Sequence, residues 1–279
     1  MSYELAGKKV LVTGASSGIG AGLARAFAAE GATVGICARR ADRLAEVLAD
    51  CQRTAPSSRS WTIDLGDLGA VDRFALQADD ELGGIDLLVN NAGIPKRRHA
   101  FDLTSATVED VMRINYFSPV RLTLALLPRM RERGSGRILT VSSVAARLGP
   151  PREAAYSATK AAISSFMESL AVDLDGTDIR IHLVNPGIID TELFQLPDNE
   201  PSLSDLEALP VEALTDAVRK QLDEDAFEIY VPEWFVDIVS GRYANLGPFI
   251  EGSREYVRER MKEMPGSGGV EPPQKEASG

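Results

Sequence analysis

The chain has 279 residues, 44% of them hydrophobic, and a formal net charge of -11. That length and apolar content suffice for one sizeable core. Between Glu192 and Asp237 lie 13 acidic and 2 basic residues, so the remainder is neutral with 28 charges of each sign, and the absence of a basic face argues against a nucleic-acid partner.

Met1 to Lys9 has no apolar stretch of signal-peptide length, and nowhere do 18 apolar residues run together. The expectation is a cytoplasmic protein with no integral membrane segment. Cys37 and Cys51 lack the close spacing of a metal or redox pair and are expected to be plain thiols; no metal site is expected.

Short, often β-branched apolar runs alternate with helical stretches: Lys9 to Thr13, Thr33 to Ala38, Ser60 to Ile63, Leu87 to Asn90, Ile138 to Ser142 and Ile179 to Asn185. This βαβ rhythm predicts an α/β fold, a Rossmann-type doubly wound parallel sheet of about seven strands with helices on both faces. Phe227 to Pro232 supplies the last strand. Residues 1–264 are read as a single domain, with a substrate-binding region at about 192–226, a helical extension at about 232–264, and a disordered tail over 265–279, rich in Gly, Pro, Ser and Glu.

After the first run comes Thr13-Gly14-Ala15-Ser16-Ser17-Gly18-Ile19-Gly20, then an alanine-rich helical stretch. A glycine-rich turn by itself is compatible with a plain loop, but between a strand and a helix it suits a dinucleotide. Gly14 makes the tight turn, Gly18 lets main chain approach a pyrophosphate, and Gly20 lets helix and strand pack closely. Amides at the helix start then face the phosphates. At the end of the second run the sequence reads Cys37-Ala38-Arg39-Arg40, with no carboxylate for a ribose diol. Guanidinium groups there favour a 2′-phosphate, hence NADP(H) over NAD(H), with NAD(H) still possible; Asp42 is an alternative partner for either arginine. Asp64 and Leu65 follow the third run and Asn91-Ala92-Gly93 the fourth, on the cofactor side of such a sheet. Asp64 is placed to accept from the adenine amino group, although an isolated aspartate in that position is more commonly a helix cap.

Tyr156 and Lys160 lie four apart on an expected helix and share a face. With Asn115, Ser142-Ser143 and Asn185-Pro186-Gly187, they make the chain resemble the short-chain dehydrogenase/reductases over residues 8–192. The resemblance implies an oxidoreductase acting on CH–OH groups, with Asn115, Ser143, Tyr156 and Lys160 as its catalytic set. The interval between Ser143 and Tyr156 matches the family and selects Ser143 over Ser142. Tyr156 would be the general acid or base, its phenolate favoured by Lys160, Ser143 the donor to the substrate oxygen, and Asn115 the support of a proton path.

Cofactor contacts are implied for Gly14, Ser16, Ser17, Gly18, Ile19, Gly20, Arg39, Arg40, Asp64, Leu65, Asn91, Ala92, Gly93, Tyr156, Lys160, Pro186, Gly187, Ile189 and Thr191. The family also implies a homodimer or homotetramer. Lys96-Arg97-Arg98-His99 either edges the substrate mouth or is a solvated loop.

The chain departs from many relatives beyond its last strand. Pro232 is expected to open a helix carrying Trp234, Phe235, Ile238, Val239 and Tyr243, with a second helix over about Ser253 to Met264. Such extensions resemble those of relatives acting on bulky apolar alcohols and ketones. A 3-oxoacyl-thioester reductase is the alternative within the class, although an acidic carrier would be repelled by the acidic segment. A catalytically silent cofactor-sensing protein is the alternative outside it.

Overall fold

In the computed structural model, which describes residues 2–196 and 198–263, Val10, Leu11 and Val12 are wholly buried at the middle of a parallel sheet. Both sides of that run are covered, which is why no polar residue interrupts it. The strands are β1 Lys9–Thr13, β2 Thr33–Ala38, β3 Arg59–Thr62, β4 Leu87–Asn90, β5 Gly136–Val141, β6 Ile179–Pro186 and β7 Glu228–Val231. They form one seven-stranded sheet in the order β3-β2-β1-β4-β5-β6-β7, parallel throughout. The helices are α1 Gly18–Ala29, α2 Ala41–Gln52, α3 Leu68–Leu82, α4 Ser105–Met112, α5 Ser118–Arg133, α6 Ala145–Leu148, α7 Ala154–Asp173, α8 Val211–Glu224, α9 Phe235–Ala244 and α10 Leu246–Glu263.

Successive strand residues point to opposite faces. Val10, Val12, Val34 and Ile36 pack with Phe27 of α1, Val47 of α2, and Leu214 and Val218 of α8. Leu11, Leu88, Ile138 and Ile181 pack with Phe74 of α3, Leu126 of α5 and Met167 of α7. Each such side chain contributes about 1.5–3 kcal/mol relative to exposure, so the sheet centre is a stiff platform beneath the loops at its carboxyl edge.

The elements depart from their sequence-based bounds where pairing continues beyond an apolar pattern. β5 begins two residues before Ile138, because Gly136 and Arg137 still pair with Ile179 and Arg180. The cap of α3 is Asp67, whose carboxylate accepts from the Gly69 amide at 3.1 Å. Asp64 instead accepts from the Gly66 amide at 2.8 Å within its own turn.

Pro232 does not open α9, which starts at Phe235. By contrast α10 starts seven residues before Ser253, at Leu246. Pro248 falls in its first turn, where a missing N–H breaks no helical hydrogen bond. Met264 and the expected tail over 265–279 lie outside the described residues. Among the described residues no helix is long and apolar enough to cross a membrane.

Candidate active site

The winding of the sheet reverses between β1 and β4, and the loops beyond those strands part there, as in other doubly wound folds. Over this edge lies a continuous cavity of about 740 Å³, a size typical of ligand sites. Every candidate position from the sequence lines it except Gly20 and Asn115.

One end is made of backbone and short side chains. The Thr13 hydroxyl accepts from the Asn91 and Ala92 amides, both at 3.0 Å, and the Asn91 side chain donates to Thr13 O at 2.8 Å. These bonds tie the turns after β1 and β4 together. Gly20 sits outside the cavity because it backs onto this junction, where a Cβ would lie 2.4 Å from Asn91 Nδ2. Gly18 has a left-handed φ of 53°, and a Cβ on it would lie 2.9 Å from Thr191 Cγ2. The loop from Pro186 to Thr191 therefore closes on the turn only over a glycine. Ser17, at the start of α1, makes no side-chain cap, so the first amides of the helix have no side-chain partner there.

Beside that helix start, Arg40 donates to the Ser17 hydroxyl at 2.6 Å and to Ser16 at 3.1 Å. Its carboxylate partner is Glu192, at 3.0 Å, and not the sequence neighbour Asp42; Arg43 pairs with the same carboxylate. The two arginines hold Glu192 below the usual carboxylate range, Arg43 more than Arg40. Arg39 is exposed, lines the cavity and makes no ion pair among the described residues. Asp64 and Leu65 line the same end.

Ser142 and Ser143 leave β5 in opposite directions, as adjacent strand residues do. Ser142 reaches the cavity lining, with its hydroxyl buried against Ser164 of α7, 2.7 Å away. Ser143 accepts from the Ala145 amide at 3.1 Å and donates to Pro186 O at 3.4 Å, and it shares the cavity lining with the Tyr156 phenol.

Burial raises the Tyr156 pKa well above 10, Glu153 adds to the rise, and Ser143 and Arg97 oppose it. Lys160 donates to Val141 O at 2.8 Å and lies 5.7 Å from the Tyr156 ring centre. Burial pulls its pKa down to about 8. The phenol is thus raised chiefly by desolvation, and the charges acting on it are those of Glu153 and Arg97.

Asn115 occupies a π-helical turn, Arg113–Phe117, between α4 and α5. Its side chain accepts from the Ile94 amide at 2.8 Å and donates to Ile94 O at 3.0 Å and to Thr159 at 3.1 Å. It fixes the segment after Gly93 against the Tyr156 helix without reaching the cavity itself.

The other end is apolar and assembled from distant segments, with Leu148, Leu203, Phe235, Ile238, Phe249 and Tyr256 among its lining. Gly187 makes room for the Phe235 ring, since a Cβ there would lie 2.5 Å from it. The Tyr256 hydroxyl donates to Leu203 O at 2.7 Å and Arg260 donates to the same oxygen at 3.1 Å, holding α10 over residues 202–206.

Nor is the basic cluster a solvated loop. Lys96 and Arg98 both pair with Asp198, the His99 amide donates to Glu200 at 2.7 Å, and Arg97 is buried with its Nε donating to Glu200 O. Sequence reasoning did not single out Glu153, Arg43, Glu192 as an arginine partner, or the wall residues Leu203, Phe249 and Tyr256. For Glu153 a signal existed, the spacing of three that sets it on the face of Tyr156.

A family model for short chain dehydrogenases matches residues 8–200. A short chain dehydrogenase of Pseudocercospora fijiensis is 39% identical over 196 residues, which is 68% of this chain and 62% of that protein. The crystal structure of a short-chain dehydrogenase from Streptomyces avermitilis has a TM-score of 0.77 at 30% identity, over 90% of this chain and 97% of that one. A short chain dehydrogenase/reductase from Burkholderia phymatum, in complex with NAD, has a TM-score of 0.79 at 20% identity, over 88% of this chain and 96% of that one, a likeness of fold. The match spans about three fifths of the length of the Pseudocercospora fijiensis protein and of two other relatives, from Anopheles gambiae and Rattus norvegicus.

Proposed function

The chain belongs to the short-chain dehydrogenase/reductase family, and from that premise we propose that it is an NADP(H)-dependent oxidoreductase interconverting an alcohol with a ketone or aldehyde on a bulky apolar substrate. The observation that carries the proposal is the meeting of Ser143, Tyr156 and Lys160 between an uncapped helix start and an apolar wall. Without that wall the same residues would suit any small carbonyl.

The residues of the first end fit the implied cofactor. The amides at the start of α1 suit a pyrophosphate, and the hydroxyls of Ser16 and Ser17 with Arg40 and Arg43 suit a 2′-phosphate. That the two arginines already hold a carboxylate, Glu192, supports an anion-accepting role. Arg39 adds a further cation at the same edge. Gly14, Ile19, Asp64, Leu65, Asn91, Ala92 and Gly93 would line the nucleotide, and Pro186, Gly187, Ile189 and Thr191 the nicotinamide. When bound, the cofactor supplies a hydride in reduction or accepts one in oxidation.

The chain's own residues handle the proton and the charge. In reduction the Tyr156 phenol, kept neutral by burial, gives its proton to the carbonyl oxygen as that oxygen gains charge. In oxidation the phenolate takes the proton from the alcohol. Ser143 donates to the same oxygen, which stabilises the charge where it develops. Lys160, fixed by Val141 O and largely charged at pH 7, favours the phenolate. Asn115 is a positioning residue that acts through Ile94 and Thr159.

The test is turnover of ketones and aldehydes graded by apolar bulk, with NADPH and with NADH, in the wild type, Tyr156→Phe and Arg40→Ala. Expected are rates that rise with apolar bulk, a loss of at least ~100-fold in Tyr156→Phe with the NADPH dissociation constant little changed, and a fall in NADPH preference of about tenfold in Arg40→Ala. Undiminished turnover in Tyr156→Phe would overturn the mechanism, and an unchanged cofactor ratio would overturn the assignment of NADP(H).

A further inference from the structure

Glu153 lines the cavity three residues before Tyr156, at the head of α7 and on the same helix face. Its carboxylate accepts no hydrogen bond and forms no ion pair among the described residues, although Leu148, Pro150 and Pro151 beside it in the lining are apolar. The backbone that presents it is held from several sides. Arg152 has a left-handed φ of 66°, an uncommon state for a non-glycine residue. The Arg98 amide donates to Arg152 O at 2.8 Å, and the Arg152 side chain pairs with Glu200 at 3.2 Å and reaches Met261 Sδ at 3.1 Å. The backbone at Glu153 is therefore held at the cavity edge, three residues from Tyr156.

An ionisable group in such surroundings is costly unless it is matched. Burial pushes the Glu153 carboxyl up to about 7, while the nearby Arg97 charge pulls it down. Its charge also opposes formation of the Tyr156 phenolate, so it does not assist the phenol in giving up its proton. What it offers is an acceptor on the lining of the cavity that also holds the Tyr156 phenol.

We propose that Glu153 forms a substrate subsite that accepts a hydrogen bond from a second hydroxyl, so that the preferred substrates are apolar hydroxyketones and the corresponding diols. This rests on the oxidoreductase reading above. A neutral hydroxyl is chosen over an ammonium group because buried Arg97 lies close enough to act on Glu153 and would repel a second cation. A hydroxyl donating to a carboxylate inside an apolar cavity discriminates strongly, because an analogue without it leaves the acceptor unmatched.

The experiment compares kcat/KM, at saturating NADPH, for matched pairs of apolar ketones differing only by a hydroxyl on the carbon next to the carbonyl, together with the amino ketone of the same skeleton. The wild type is expected to favour the hydroxylated member by about tenfold to a hundredfold. In Glu153→Leu that ratio falls to about one. In Glu153→Gln, which keeps shape and an acceptor oxygen, it falls only in part. The ratio cancels any general effect of a substitution on folding or on Tyr156. A wild-type ratio near one, a ratio unmoved in both variants, or a preference for the amino ketone would each overturn the subsite while leaving the oxidoreductase reading standing. NADPH binding without turnover of any pair would overturn that reading and the subsite with it.

Discussion

At the glycine-turn end of the cavity, contacts are made by backbone amides, hydroxyls and Asn91, all anchored to neighbouring strands of the sheet. At the far end they are made by side chains from four separate parts of the chain, with α10 reaching back across more than fifty residues to Leu203. Position at the first end is set by the register of β1 against β4, which the core holds rigidly. Position at the second rests on a few hydrogen bonds and partly exposed ion pairs, such as those of Asp198 with Lys96 and Arg98. Such pairs contribute little individually, so this wall is cheaply remodelled while the other end is not.

The sharpest way to break this contrast acts on the rigid end. Gly18→Ala places a side chain in a left-handed conformation and against Thr191. It is expected to lower the unfolding free energy by about 1–2 kcal/mol and to raise the NADPH dissociation constant at least about tenfold, read by thermal denaturation and by fluorescence titration. A variant with wild-type affinity would show that the turn is not held to that geometry.

On the loose end, Tyr256→Phe removes the hydrogen bond to Leu203 O. The expected result is a loss of about threefold to tenfold in kcat/KM for bulky substrates, with small ones and NADPH affinity untouched. An equal loss for all substrates would mean that α10 supports the whole site.

The smallest effect is expected where the ends meet. Glu192→Gln removes the carboxylate that occupies Arg40 and Arg43, so NADPH should bind a few-fold tighter with NADH unchanged, as measured by paired titrations. Weaker NADPH binding would show that Glu192 orders the arginines and does not compete with the phosphate.

The chain's own letters specified the sheet and the residues of the rigid end. The bounds of β1, β2 and β4 follow from their apolar runs, because a strand covered on both faces excludes polar residues and ends where they resume. The turn from Gly14 to Gly20 and the spacing of Tyr156 and Lys160 were equally legible, since both are local relations along one strand-turn-helix or one helix.

Tertiary packing decided the rest. Glu192 lies 152 residues from Arg40, and nothing local marks them as partners when Asp42 is so much nearer. The early start of α10 was hidden by Gly247 and Pro248, which break helices elsewhere but are tolerated in a first turn. Arg97 reads as part of a basic cluster either at the substrate mouth or in a solvated loop until the segment from Asp198 to Glu200 folds over it, and it lines the cavity. Long-range pairs of this kind depend on where loops meet in space, and a pattern of period two or 3.6 along the chain carries no record of that.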